Sequence, residues 1–142
     1  MHDELSMEFD RLFSQLVRRA RAGRFEPNAD VYLDEAGEQI VVVVELAGAD
    51  ADDLRIAADE RHLFIVGVRV DPSRGRRGSI VQKEIQFGEF FKKIPLPLPI
   101  DHDAASAVYR DGILSIELPL ASTEAIPMHR TEIRMTVRRT LA

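Results

Sequence analysis

The stretch from Ala107 to Pro119 reads AVYRDGILSIELP, and it restricts the fold more than any other part of the chain. Apolar and polar residues alternate on both sides of Asp111-Gly112. A period of two belongs to a strand with one buried and one wet face. Asp-Gly supplies the two positive-φ positions that a type I′ turn needs. The stretch is therefore expected to be a tight β-hairpin. Leu114, Ile116 and Leu118 fall on one face, Ser115 and Glu117 on the other. The first strand, within ASAVYR, is short and suits a sheet edge.

The same strand chemistry recurs upstream. ADVYLDEAG alternates and ends in a turn. Ile40 to Val44 is an unbroken β-branched run, as expected of a central strand buried on both faces. In DDLRIAADERH, Leu54, Ile56 and Ala58 alternate with Arg55, Ala57 and Asp59. HLFIVGVRV is a further apolar strand, with Gly67 at a bulge or close approach. DPSRGRRGS reads as a flexible loop, IVQKEIQ as a strand inside a long connection, and GEFFKKIPLPLP as a strand closed by prolines that lack the ladder donor. Short strands at regular spacing with turn signals between them predict an all-β, immunoglobulin-like antiparallel sandwich.

The N-terminal segment follows another rule. Leu5, Phe9, Leu12, Phe13, Leu16 and Val17 recur at helical spacing and form one apolar stripe, with Gly23 and Pro27 as stop signals. The stripe either packs on its own domain or meets other subunits and foreign chains. The 142 residues suit one domain with arms. Charge is uneven along the chain. Residues 1–28 balance five acids against five Arg, and residues 29–120 carry ten basic and seventeen acidic residues, net −7. Residues 121–142 carry four Arg and two Glu, net +2. An acidic body argues against nucleic acid as the main ligand and suits contacts from tail to body.

Other function classes find little support. No apolar run reaches the eighteen or so residues that span a bilayer. Asp3, Glu4, Glu8 and Asp10 stand where a signal peptide needs basic residues. With no cysteine there is no disulfide, thiolate nucleophile or Cys-ligated metal, and a cytoplasmic setting fits. His2, His62, His102 and His129 lack metal-site spacing, and Asp101-His102-Asp103 reads as a solvated loop. No nucleophile elbow surrounds Ser79, Ser106 or Ser115, and no phosphate-binding Gly-x-x-x-x-Gly-Lys loop exists. No catalytic residue, metal or cofactor is assigned, so the function should be binding rather than catalysis.

At this point the chain resembles the small heat shock proteins, with their alpha-crystallin domain. AVYRDGILSIELP matches the family's A-x-x-x-[DN]-G-[VI]-L motif. PNADVYLDEAGEQIVVVVELAGADADDLRI, LFIVGVR and QFGEFFKKIPLP resemble other family segments in order and spacing, with Lys92 and Lys93 where Arg is usual. MEFDRLFSQL is similar to the common N-terminal arm. The implied organisation is an amphipathic arm over 1–26, an alpha-crystallin domain over 27–120 and a tail over 121–142.

The resemblance implies a dimer in which SIVQKEI crosses to pair with ADVYL of the partner. Ile80 and Val81 would then lie at the interface, and Arg69 and Glu84 match charged positions that pair in such dimers. It also implies a groove, lined by Leu54, Ile56, Ala58, Ala107, Val108 and Tyr109, that receives the tail of a neighbouring dimer. Ile126-Pro127-Met128 and Ile133-Arg134-Met135 are both candidates for that tail motif, each with Met at the second anchor. The expected activity is an ATP-independent holdase that assembles from dimers into larger oligomers. It would hold unfolding clients through Phe9, Leu12, Phe13, Leu16 and Val17. The alternative is a co-chaperone-like sandwich that docks one folded partner and does not assemble.

Overall fold

Nine strands form two sheets among the residues that the structure, a computed structural model, describes: 10–15, 17, 18, 25–34, 36–122 and 131–138. They are β1 (Ala29–Asp34), β2 (Gln39–Glu45), β3 (Arg55–Ala58), β4 (His62–Arg69), β5 (Gly88–Pro95), β6 (Ser106–Arg110), β7 (Ile113–Pro119), β8 (Thr131–Ile133) and β9 (Met135–Arg138). One sheet runs β1-β2-β7-β6-β9 and the other β5-β4-β3-β8. Every pairing is antiparallel except β6 with β9.

The core forms where the alternating faces meet. Ile40, Val42 and Val44 of β2 lie beside Leu118, Ile116 and Leu114 of β7 in register. All six are buried and face Ile56, Leu63, Ile65, Phe90 and Ile94 from the other sheet. The β-branched run of β2 is not buried on both faces as its sequence suggests. Val41 and Val43 are only half buried, because the outer face of this sheet looks toward solvent. Their stripe is sheltered by cross-strand neighbours, Val41 lying opposite both Tyr32 and Glu117.

Turn chemistry sets the corners. Asp111 and Gly112 have φ of 52° and 81°, as the hairpin turn requires. A Cβ at Gly112 would sit 2.9 Å from the Ala47 Cα, so the 46–49 connection closes tightly on the turn. Gly67 marks a close approach rather than a bulge. A Cβ there would lie 2.7 Å from Leu54 and 2.8 Å from Phe90, and the pairing of β4 with β5 runs past it unbroken. β5 stops at Pro95, where the proline series begins. Asp101 then caps a short 3-10 turn, His102–Ala104, by accepting from the Asp103 N–H at 3.2 Å. The Asp-His-Asp run thus serves as a turn, with His102 buried rather than solvated.

The connection from Val70 to Phe87 contains no strand in this single chain. Its IVQKEI segment pairs with no described strand of its own chain, although the outer edge of β1 is open, and an extended segment becomes a strand only when its N–H and C=O groups find a partner.

Candidate functional site

The seam between the two sheets is where the sandwich is least self-sufficient. It lies between β3 and β6, and both would be edge strands without the tail. The segment from Thr131 to Arg138 fills it. β8 pairs with β3, setting Ile133 opposite Ile56, and β9 pairs with β6, setting Met135 opposite Ala107. Arg134 is exposed at the crossing between the sheets. A two-residue spacing puts Ile133 and Met135 on one face. Ile133 is only 4% exposed and joins the core, and Met135 packs half buried against it.

Most of the groove residues named from sequence meet here. Leu54, Ile56, Ala58 and Ala107 are buried in the core beside Ile133, and Tyr109 packs against its edge. Val108 does not line the seam with its side chain. It alternates with Ala107 and Tyr109, so it contributes only its place in the β6–β9 ladder. The Tyr109 hydroxyl donates to the Leu46 carbonyl at 2.7 Å and to the Ala49 carbonyl at 3.4 Å, tying β6 to the 46–49 connection. Burial pushes its pKa up.

The tail is seated on its own domain, whereas the resemblance implied a neighbouring dimer. The connection from Leu120 to Thr131 spans at most ~40 Å when extended, so its length permits either arrangement. The other tail candidate, Ile126 with Met128, lies outside the described residues.

A second apolar contact covers the outer face of β3-β4-β5. Residues 10–15 and 17–18 are helical. Phe13 is 1% exposed and meets Phe64 edge to face, centroids 6.0 Å apart. Ala57 and Val66 complete the patch, with Val17 and Phe91 packed at its border. Of the arm residues named as client contacts, Phe13 and Val17 therefore rest on the domain. Leu12 is exposed, and Phe9 and Leu16 lie outside the described residues. The outer-face residues were not singled out from sequence. The signal was present in HLFIVGVRV, which is apolar at both strand parities and so demands cover on both faces.

At the opposite end, β1 ends the larger sheet, and its Val31, Tyr32 and Leu33 are exposed. In the 70–87 connection Ile80 is 72% exposed and Val81 99%. Arg69 and Glu84 line the same hollow as Phe25 and Gln86. They do not form an ion pair within the chain. Arg69 donates through Nε to the Gln86 carbonyl at 3.0 Å, and through Nη2 to the same oxygen. Its guanidinium stacks over Phe25, 4.2 Å from the ring centroid. Glu84 accepts from the Gln82 amide at 2.7 Å.

A two-sheet sandwich of this strand order, with a detached strand in the seam, defines an alpha-crystallin domain. Comparison with known proteins gives the same class. The Hsp20/alpha crystallin family model matches residues 33–137, and the chain belongs to that family, the small heat shock proteins. Heat shock protein 16 of Schizosaccharomyces pombe is 31% identical over 109 residues, 75% of each chain. The probable 15 kDa heat shock protein of Leptospira interrogans is 27% identical over 106 residues, 75% of this chain and 78% of that one. Among solved structures, heat shock protein 16.0 of S. pombe superposes with a TM-score of 0.61 at 28% identity, covering 75% of this chain and 96% of that one. A small heat-shock protein of Xylella fastidiosa, described as having a distinct high order structure, gives 0.60 at 27% identity over 74% and 95%.

Proposed function

We propose that this protein is an ATP-independent chaperone that holds partly unfolded proteins and keeps their apolar surfaces apart, working in the cytoplasm as dimers that assemble further. The observation that carries this reading is the seam. A sandwich whose edges are completed by a detached tail strand has a removable cover over apolar surface. An Ile and a Met burying roughly 200 Å² contribute at most about 5 kcal/mol at ~25 cal/mol/Å², before ordering costs. That margin is small enough for the tail to come and go. Lifted, it bares two strand edges and an apolar slot, and such edges add extended segments of other chains.

The division into arm 1–26, domain 27–120 and tail 121–142 follows this use. The dimer is supported by the open edge of β1, with Val31, Tyr32 and Leu33 exposed, and by the bare Ile80, Val81 and Ile85 of the long connection. Pairing that connection with the partner's β1 would cover both apolar sets and bring Glu84 toward a partner's charges.

The test is light scattering of a heat-labile enzyme with and without the protein, in the absence of nucleotide. Suppression near equimolar subunits is expected. Undiminished aggregation across several unrelated clients would reject the holdase.

A further inference from the structure

The outer face of β3-β4-β5 is built as a binding surface of its own. Register places Ala57, Phe64 and Lys93 in one cross-strand row, and Arg55, Val66 and Phe91 in the next. Phe64 and Phe91 stack at 6.5 Å, and the Lys93 ammonium lies 6.0 Å from the Phe64 centroid. The result is a flat aromatic floor with a small residue, Ala57, as its shallow point, Lys93 at one margin and Glu132, opposite Ala57, at the other. A sheet whose other face already belongs to the core needs no second apolar face to fold.

What fits there is visible in the chain itself. The arm helix lays Phe13 and Val17, one helical turn apart, across the floor. Among the described residues its contact with the sheet is made by side chains. The path from Arg18 to Phe25 spans at most ~25 Å extended, long enough for the helix to lift clear while Phe25 stays bridged to Phe90.

We propose that this face is a client site for amphipathic helices that present an aromatic residue and an aliphatic one a turn apart, and that the arm helix is its resident stand-in. The tail seam takes extended segments, and this face takes helical ones. A helix laid in an apolar groove through i and i+4 anchors is a recurring mode of peptide capture. Charges of both signs border the face, Lys93 and Glu89 on β5 and Glu132 opposite Ala57, so the apolar anchors rather than flanking charge select the helix. The proposal rests on the holdase reading for its biological use, but not for its measurement.

The chain has no Trp, so full-length protein carrying Phe91→Trp reports on the face by its emission. The probe is a synthetic peptide with the sequence of residues 7–20, alongside the same peptide with Asp in place of both anchors. In a Phe13→Ala background, which loosens the arm without touching the sheet, the first peptide is expected to bind saturably with a blue shift. Its affinity should be about tenfold higher than with the arm intact, and the Asp peptide should give no shift. Ala57→Glu, which fills the shallow point, should abolish binding while the far-UV spectrum stays that of the folded sheet. An unresponsive Trp, equal binding of both peptides, or binding unaffected by Ala57→Glu would overturn the proposal. Saturable binding that also changes the oligomer's size would overturn the client assignment in favour of a second copy's arm. Peptide capture without suppression of client aggregation would keep the helical site and sink the holdase.

Discussion

The tail and the arm both cover apolar surface of the same small sheet, yet they hold on by different physics. The tail enters the seam as strands, pairing its backbone with β3 on one side and β6 on the other while Ile133 fills the core. The arm lies flat on the outer face and contributes side chains to it, chiefly Phe13 against Phe64. Removing the tail leaves open ladder groups on two strands. Removing the arm leaves only wet aromatic rings. The first cover completes a structure, and the second masks one already complete.

The largest effect should come from breaking the tail. Ile133→Ala removes most of the buried anchor. Losing an aliphatic burial of ~1.5–3 kcal/mol lowers the docked population by roughly one to two powers of ten. Hydrogen exchange at residues 131–138 should accelerate by that factor, and the amides of β3 and β6 that pair with the tail should follow. Sizing chromatography then separates two arrangements. Docking on the tail's own domain leaves the assembly's size unchanged, whereas docking between dimers shrinks it. Unaltered exchange in 131–138 would mean that the backbone ladder, and not Ile133, holds the tail.

Phe13→Ala should be the milder break. Losing one edge-to-face pair and its buried area costs about 2 kcal/mol locally. Exchange should rise within residues 10–18 but not in β3, β4 or β5, whose amides are held by neighbouring strands. The thermal midpoint of the sandwich should hold to within a degree or two. A drop in that midpoint comparable to a core truncation would erase the distinction between completing and masking.

How much of this was legible follows from which periodicities are local. The hairpin at Asp111-Gly112, the inward triplet Leu114, Ile116 and Leu118, and the stop at the prolines are written in nearest-neighbour chemistry, and the structure has them. The close approach at Gly67 was half legible. Its missing side chain was visible, but whether the strand bulged depended on Phe90 across the sheet. The run Ile40–Val44 looked buried on both faces because β-branched composition reports strand preference and burial together. The neglected outer face has the opposite cause. Phe64, Val66 and Phe91 lie on two strands and Ala57 on a third, so their patch exists only after pairing. Val108 falls between Ala107 and Tyr109, and strand alternation admits only those two side chains to the groove.

Met135 sharpens the picture of the tail by a smaller step. A methionine fills an irregular slot at the cost of rotamer freedom, about 1 kcal/mol more than leucine gives up. Met135→Leu should therefore tighten the tail by less than ~1 kcal/mol, seen as slower exchange at 135–138. Faster exchange would show that the seam above Ala107 has the shape of an unbranched chain and gains from its flexibility.

The smallest effect, and the one that ties the seam to solution conditions, belongs to Tyr109. Its pKa is raised chiefly by burial, with the nearby Arg69 acting the other way. A raised value in the folded state means that the neutral phenol is favoured there. Its contribution to stability is complete below the ordinary tyrosine range, near pH 10, and is lost as the pH climbs through the raised value. Ionisation also removes the single proton that the hydroxyl donates, chiefly to the Leu46 carbonyl at 2.7 Å. With Tyr32→Phe, Tyr109 becomes the single tyrosine of the chain, and phenolate absorbance follows it directly. The titration should lie above that of a free tyrosine. Denaturation midpoints of this protein and of one that also carries Tyr109→Phe should converge as the pH rises through it. Because Val137 of β9 lies opposite Tyr109 in the ladder, adding Ile133→Ala should unseat that cover and draw the titration back toward the free value. A titration indifferent to Ile133 would show that the 46–49 connection alone buries the phenol and that the tail ends energetically at Met135.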